Sequence, residues 1–186
     1  MKRIFDLIIS LMGLLILLVP MLIVSVLVKL TSRGPVLYWS DRVGRNNAIF
    51  RMAKFRTMRQ DTPAVATHLL HDPKSVLTPI GNVLREFSVD ELPQLWSIIK
   101  GDMSIVGPRP ALFNQYDLIT LRTGKCVHEL MPGLTGWAQV NGRDELSIPQ
   151  KVDLDVEYLH HQSLRVDIKI IGLTFMKVLK KYGVSH

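Results

Sequence analysis

At 186 residues, the chain is long enough for one domain with a modest hydrophobic core and too short for two comfortable ones. Its net charge of +7 favours a polyanionic partner, such as nucleic acid, anionic lipid or a phosphorylated substrate. The single cysteine, Cys126, excludes an internal disulfide and is consistent with a cytoplasmic catalytic domain. Apolar residues make up 47% of the chain and concentrate near its N-terminus, which favours lipid or phosphate over nucleic acid.

The apolar run over residues 4–30 would span roughly 40 Å as a straight helix, enough to cross a bilayer. A cleaved signal peptide is disfavoured, because the run is long and ends without a small-residue cleavage site. Pro20 lies in mid-run and should bend or break the helix. Basic residues flank both ends: Lys2, Arg3, Lys29, Arg33, Arg42 and Arg45. Because basic flanks prefer the cytoplasmic side, a re-entrant hairpin competes with a single spanning helix, and the residues alone leave both open.

Beyond this run the sequence predicts a small α+β domain that is mainly helical. Residues 36–39 and 49–58 have strand character with a basic connection between them, which predicts a short β-hairpin. Residues 61–79 are polar and rich in turn formers, so we expect a loop. Residues 80–87 predict a helix.

The next helix is predicted to begin at Ser88. Ser88 is a good N-cap residue, and Glu91 three positions later completes the signature of a capping box. Lys100 and Gly101 form a typical C-terminal signal. Apolar side chains recur between them at helical spacing: Leu92, Leu95, Trp96 and Ile99.

A basic amphipathic helix is predicted for residues 163–182. Such a helix can lie in a membrane interface or pack on the core, and the sequence leaves both open. Its apolar face is predicted to contain Ile168, Ile171, Phe175, Val178, Leu179 and Tyr182.

Asp90 and Glu91 are the first candidates for chemistry, although acidic residues at the start of a helix are also favoured by the helix dipole. A carboxylate near Lys54, Arg85 and Arg109 could attack phosphorus or bind a metal, because the cations would neutralise phosphate oxygens.

Arg109 lies between two prolines, and Arg143 follows an Asn-Gly turn. A guanidinium on a constrained backbone loses less entropy when it binds phosphate through two nitrogens. Singly, each of these basic residues is more often a surface charge. Together they suit a substrate that carries a pyrophosphate and a lipid phosphate.

The histidines do not predict a metal site. The pair His68 and His71, and the pair His160 and His161, lack the further ligands that zinc needs. The chain also lacks a dinucleotide-binding glycine motif, a Walker loop and a serine nucleophile elbow.

Five stretches of the chain resemble, in order, the motifs of the bacterial sugar transferases, the monotopic phosphoglycosyl transferases. They are residues 54–58 (KFRTM), 88–96 (SVDELPQLW), 100–104 (KGDMS), 106–110 (VGPRP) and 132–143 (PGLTGWAQVNGR). The resemblance covers nearly the whole chain, whose size matches the small family members that have a membrane anchor and a catalytic core.

The resemblance implies a re-entrant helix-break-helix anchor over residues 1–32, with the break at Pro20. Val19 stands where the family often has a small polar residue before this proline. The remaining residues, 33–186, are expected to form a catalytic domain at the membrane interface. The expected location is the bacterial inner membrane, with this domain on the cytoplasmic face.

The family's Asp-Glu pair maps onto Asp90 and Glu91. The resemblance implies that Asp90 is the nucleophile and that Mg²⁺ is the cofactor, with Asp90 as a metal ligand; Glu91 would orient either one. Four basic residues are expected to hold the nucleotide and the phosphates: Lys54, Arg85, Arg109 and Arg143.

The implied reaction transfers a sugar-1-phosphate from a UDP-sugar to undecaprenyl phosphate and releases UMP through a phospho-Asp90 intermediate, as the first step of a surface glycan or glycoconjugate. Residues 152–184 resemble family members that use N-acetylated amino sugars. Membrane lipid is an expected partner, nucleic acid is not, and a homodimer is left open. Two alternatives are direct attack by the lipid phosphate, with Asp90 only a metal ligand, and a membrane-tethered binding protein for anionic polymers.

Overall fold

The computed structural model describes residues 1–63, 72 and 75–179. Its mixed and mainly helical architecture confirms that part of the predicted fold class. The helices and strands, in chain order, are α1 (Lys2–Thr31), β1 (Leu37–Val43), β2 (Ile49–Phe55), α2 (Gly81–Glu86), α3 (Gln94–Lys100), β3 (Ser104–Val106), α4 (Tyr116–Gly124), β4 (Gly133–Thr135), α5 (Trp137–Val140), α6 (Ile148–His161) and α7 (Leu164–Leu179). The predicted pair His68 and His71, and most of the predicted loop, lie outside the described residues.

The predicted β-hairpin is confirmed. Strands β1 and β2 are antiparallel, with Leu37 opposite Phe55 and Val43 opposite Ile49. Strand β1 is longer than predicted and includes Arg42, which the sequence placed in the connection.

A second, parallel pair of strands, β3 and β4, was not predicted, because both lie in stretches rich in Gly and Pro. Three glycines allow the backbones to approach. A Cβ on Gly107 would lie 2.2 Å from the carbonyl oxygen of Met131, and a Cβ on Gly133 or Gly136 would lie 2.1 Å from a backbone atom of Gly107. This close packing fixes the loop that carries Arg109.

The predicted capping box at Ser88 is wrong. Ser88 has a left-handed backbone (φ 55°) and no side-chain capping bond, residues Val89–Glu91 form a 3₁₀ turn, and α3 begins only at Gln94. The reason is that the Glu91 carboxylate binds two basic side chains instead of the helix start. The observed capping box is at α6, where Ser147 and Gln150 bond reciprocally.

Helix α1 is continuous from Lys2 to Thr31, with Pro20 inside it. The break that the sequence predicted at Pro20 is therefore not seen in the structure. By length and composition, α1 is apolar enough to cross a membrane.

The N-terminal end of α1 is bound to the rest of the domain by buried polar contacts. The Asp6 carboxylate accepts hydrogen bonds from the Ser104 hydroxyl at 2.9 Å and from the Ile105 backbone N–H at 3.1 Å. Lys2 donates to the buried carboxylate of Asp167, in the first turn of α7, at 2.6 Å. A charged residue inside an apolar helix thus has a specific structural role.

The same side of α1 contacts the domain along the whole helix. Ile9, Leu14 and Leu17 pack on the larger hydrophobic core, while Met21 and Val24 pack with the fully buried Val28 on a smaller one. Just after α1, the Ser32 carbonyl and hydroxyl accept hydrogen bonds from Arg56. The other side of α1 exposes large apolar side chains: Ile4, Ile8, Leu11, Leu15, Ile16, Leu18, Val19, Leu22, Ile23, Val26 and Leu30.

Helix α7 confirms the predicted C-terminal helix as far as Leu179, while Tyr182 lies outside the described residues. Its buried side differs from the predicted apolar face. Ile170 is fully buried, whereas Ile168 is 54% and Phe175 is 67% exposed. The predicted face ignored the buried Asp167, whose contacts with Lys2 and Tyr158 orient the helix.

We predict that Asp6→Ala lowers the free energy of unfolding by roughly 2–3 kcal/mol, because two buried donors lose a charged acceptor. The measurement is urea unfolding of the purified protein in detergent. Ser25→Ala is the control, since among the described residues the Ser25 hydroxyl donates to the Met21 carbonyl of the same helix, and its loss should cost less than about 1 kcal/mol. Equal destabilisation by the two variants would contradict the prediction.

Candidate active site

A cavity of about 370 Å³ opens between the β-hairpin, the 89–91 turn and the loop after β3. Its lining includes all six residues that the sequence selected for chemistry or phosphate binding: Lys54, Arg85, Asp90, Glu91, Arg109 and Arg143. Residues that are far apart in the sequence therefore meet in one place.

Glu91 is the centre of an ion-pair network. Its buried carboxylate accepts from Lys54 Nζ at 2.8 Å and from Arg109 Nη2 at 2.6 Å, with Arg109 Nη1 at 3.4 Å. Burial alone would raise the pKa of Glu91, but the attraction of Arg109 and Lys54, with smaller help from Arg143, holds that pKa well below its usual range. Glu91 is therefore an anion in the folded protein at neutral pH.

Asp90 is the neighbouring buried carboxyl, and its environment acts in the opposite direction. Burial raises the pKa of Asp90 above its usual value; Lys54 and Arg109 oppose the shift, while the negative charge of Glu91 adds to it. In the described part of the chain, the ion-pair contact of Asp90 is Lys54 Nζ at 3.6 Å, and it accepts no short hydrogen bond there. Of the two carboxyls, Asp90 is thus the more available for chemistry.

The local backbone explains how adjacent carboxyls can both point inward. The left-handed Ser88 turns the chain after α2, and the tight 3₁₀ turn of Val89–Glu91 then presents both acidic side chains to β2. Both residues are buried in this turn, since Asp90 is 6% and Glu91 is 7% exposed.

Arg109 is held by buried contacts of its backbone. Its carbonyl accepts from Arg122 Nη1 at 2.7 Å, and Arg122 is itself bound by Asp155 through two nitrogens at 2.6 and 3.0 Å. Asp155 is 1% exposed. Sequence reasoning missed Arg122 and Asp155, because the pair lies on two helices whose contact only the fold shows.

Arg42 is a third residue that sequence reasoning missed, and it lines the cavity itself. It donates to the Ser40 hydroxyl at 2.9 Å and to the Pro110 carbonyl at 3.2 Å. Burial, with the nearby positive charge of Arg109, lowers the pKa of Arg42 to about 10. The signal was present, because alternate residues of β1 share the face of the hairpin that carries Lys54.

Arg85 and Arg143 complete the basic lining of the cavity. The charge of Arg85 favours the ionised form of Asp90, and that of Arg143 favours ionised Glu91. Arg143 has a left-handed backbone (φ 51°) directly after Gly142, whose φ of 148° strongly favours glycine. The Asn-Gly turn thus aims Arg143 into the cavity.

Asp90 and Glu91 are the carboxyls in this cavity that could hold a magnesium ion. Among the described residues, no group of three or more His, Cys, Asp and Glu side chains could hold a metal alone. Mg²⁺ usually binds through one or two carboxylates together with substrate phosphates and water. A pair of carboxyls beside a basic cavity of about 370 Å³ fits that chemistry, with Asp90 as the more available ligand.

We predict that isosteric amides at the two positions change stability in opposite directions at pH 7. Asp90→Asn should raise the free energy of unfolding, because it removes a buried charge that the fold disfavours. Glu91→Gln should lower it by roughly 3 kcal/mol, the low end for a broken buried pair, because the Arg109 side chain is 34% exposed. Thermal unfolding in detergent with EDTA measures both.

The effects of the two substitutions on stability should also depend differently on pH. The raised pKa of Asp90 means that stability is lost as the pH rises through its folded-state pKa, so the advantage of Asp90→Asn should grow from pH 4 to pH 7. The contribution of Glu91 is present above its unfolded-state pKa and is lost only as the pH falls through its depressed folded-state value. If both substitutions changed the free energy of unfolding in the same direction at pH 7, the environments assigned to Asp90 and Glu91 would be wrong.

Comparison with known proteins shows to which family the sequence is similar. The sequence model of the bacterial sugar transferases matches residues 1–181. The chain is 39% identical over its full length, and over 91% of the other protein, to the uncharacterized sugar transferase EpsL of Bacillus subtilis.

Two other relatives are much longer proteins. An undecaprenyl-phosphate glucose phosphotransferase of Komagataeibacter xylinus is 42% identical over 95% of this chain and 35% of its own length. A UDP-N-acetylgalactosamine-undecaprenyl-phosphate N-acetylgalactosaminephosphotransferase of Aeromonas hydrophila is 36% identical over 88% of this chain. This chain spans only 40% of the Aeromonas protein. The match over nearly all residues, including every one that lines the basic cavity, shows that the chain belongs to the bacterial sugar transferase family.

Proposed function

We propose that this chain transfers a sugar-1-phosphate from a UDP-sugar to undecaprenyl phosphate at the cytoplasmic face of the inner membrane, releasing UMP. The proposal is supported chiefly by the basic cavity, which contains two adjacent buried carboxyls. Glu91 forms a short ion pair with Lys54 at 2.8 Å, whereas Asp90 lies 3.6 Å from the same nitrogen. The names of the Komagataeibacter and Aeromonas relatives support the same reaction type.

The first step of the proposed mechanism is attack by Asp90. Its carboxylate oxygen forms a bond to the phosphorus that bears the sugar, while the bond from that phosphorus to the bridging oxygen breaks. The bridging oxygen leaves with the electron pair as part of UMP, and the phosphosugar stays on Asp90 as an acyl phosphate. Lys54, 3.6 Å from Asp90, favours the ionised carboxylate that this attack requires.

The basic residues would neutralise the negative charge that develops on the diphosphate. Arg85, Arg109 and Arg143 line the cavity and would bind the phosphate oxygens, and the rigid backbone of Arg109 reduces the reorganisation needed. Mg²⁺, bound by Asp90 together with substrate phosphates, would supply further neutralisation of that charge.

In the second step an oxygen of undecaprenyl phosphate attacks the same phosphorus. A new phosphorus–oxygen bond forms, the acyl phosphate bond breaks, and its electron pair returns to the carboxylate of Asp90. This step restores the enzyme. The alternative, direct transfer with Asp90 as a metal ligand only, has no intermediate on the protein.

The packing of α1 supports a monotopic position in the membrane. Arg3, near one end of α1, donates to the backbone carbonyls of Ile98 and Ile99 at the end of α3, while Ser32, at the other end, binds Arg56. A single crossing would place these two ends on opposite sides of the bilayer. That arrangement conflicts with the contacts of both ends to the same domain. We infer that both ends stay on the cytoplasmic side, and that the exposed apolar side of α1 enters one leaflet. A bend at Pro20 would give the re-entrant form.

The sugar is proposed to be an N-acetylated amino sugar. The relatives' names cover both glucose and N-acetylgalactosamine, so the choice rests on the C-terminal resemblance. A UMP-release assay with a panel of UDP-sugars tests it, and clear preference for UDP-glucose would overturn it.

We predict that Asp90→Asn lowers UMP release by on the order of 10³-fold or more, since an amide is a poor nucleophile. Without acceptor lipid, the wild-type protein should form a phosphosugar adduct on Asp90, detected by intact mass, and the variant should not. Asp153→Asn is the control, because Asp153 forms an exposed pair with Lys125 and should keep full activity.

The adduct measurement separates the alternatives. A wild-type protein that turns over without any adduct favours direct transfer. No UMP release from any UDP-sugar favours a binding protein for anionic polymers.

We predict that both ends of α1 are accessible from the cytoplasm only. A cysteine-bearing tag before Met1 and, separately, Arg33→Cys would be placed in a Cys126→Ser background and treated with a membrane-impermeant maleimide. Inside-out vesicles should be labelled in both cases and intact spheroplasts in neither. Labelling of the tag in spheroplasts would establish a spanning helix.

A further inference from the structure

A second cavity, of about 480 Å³, meets the first at three charged residues. Glu91, Arg109 and Arg143 line both cavities, whereas Asp90 lines only the first. The two cavities therefore share a charged wall beside the proposed nucleophile, and a ligand in each could place its reacting group at that wall.

The rest of the second cavity is mainly apolar. One side is formed by α1, through Ile9, Gly13 and Leu17, and the opposite side by α7, through Ile171, Phe175 and Val178. The remaining apolar lining comes from Phe87, Leu92, Leu95, Ile105, Leu134 and Val140. Such a lining suits a hydrocarbon chain, because each buried methylene group gains from leaving water.

The position of this cavity suits a lipid rather than a soluble molecule. Helix α1 turns its other side, with many exposed apolar residues, toward the proposed membrane. Phe175, at the α7 side, is 67% exposed and so forms part of an open edge. A hydrocarbon chain bound between α1 and α7 could continue along that edge into the bilayer.

The charges at the shared wall select an anionic head group. Arg109, Arg143 and Lys177 line the second cavity against two carboxylates, Glu86 and Glu91. Since Glu91 is already compensated by Lys54 and Arg109, the wall can accept further negative charge. A phosphate at Arg109 and Arg143 would face the first cavity, where Asp90 lies.

We propose that this second cavity, which we call the acceptor groove, holds the first isoprene units of the polyprenyl phosphate, with the phosphate at Arg109 and Arg143. The assignment rests on the proposed function and adds where the lipid substrate binds. The donor and acceptor then approach Asp90 from two cavities, which allows UMP to leave through one while the lipid remains in the other.

The test is to fill the acceptor groove. Ile171→Trp adds bulk to its α7 wall and should raise the KM for farnesyl phosphate by about tenfold or more, while the KM for the UDP-sugar changes by less than about twofold. Ile168→Trp is the matched control, since Ile168 is on the same helix, is 54% exposed and does not line the groove. Equal effects of the two variants on the acceptor KM would overturn the assignment.

A second measurement covers the case in which Ile171→Trp fails to fold. Wild-type protein is irradiated with a farnesyl phosphate that carries a diazirine, and the labelled peptides are identified. Label on residues 9–17, 87–95, 105, 134–140 or 171–178, which line the acceptor groove, supports the assignment, and label confined to other residues overturns it. Equal labelling by a diazirine phosphatidylglycerol would identify a general phospholipid site and also overturn it. Failure of the proposed function is distinct, because the wild-type protein would then release no UMP.

Discussion

The carboxylate of Glu91 connects three segments that carry the site. It lies on a 3₁₀ turn and binds Lys54 of β2 and Arg109 of the loop after β3. Because the carboxylate is buried and ionised, it attracts both cations strongly and fixes their positions. The same network keeps Asp90 next to Lys54 at a longer distance. One carboxyl thus maintains the geometry, which leaves its neighbour for chemistry.

Hydrogen bonds connect helix α1 to the elements that form the candidate active site. Asp6 of α1 binds the backbone of β3, and β3 leads within three residues to Arg109. Lys2 is bound to α7, which forms the other wall of the acceptor groove. In the proposed membrane position, the depth of α1 would therefore set the height of the basic cavity residues relative to the bilayer surface.

Local patterns predicted the hairpin, α2 and the extent of α7 within the described residues, because alternation and helical spacing report burial directly. At Ser88 the S-x-x-E signature does not form a capping box, because Glu91 forms ion pairs instead. The similar pattern of Ser147 and Gln150 does form one, although it was not predicted. All six proposed site residues meet in one cavity, but Arg42 and Arg122 escaped prediction. Their roles depend on strand register and on helix contacts that no local window contains.

The contact between Lys2 and Asp167 spans 165 positions of the chain. Asp6 is likewise bound by residues of a later segment, Ser104 and Ile105, so α1 is synthesised before all of these partners. Until Ser104, Ile105 and Asp167 have been made, Asp6 has no donor and Lys2 has no acceptor for these contacts. The contact of Lys2 with Asp167 can therefore form only after all six candidate site residues, the last of which is Arg143, have been synthesised.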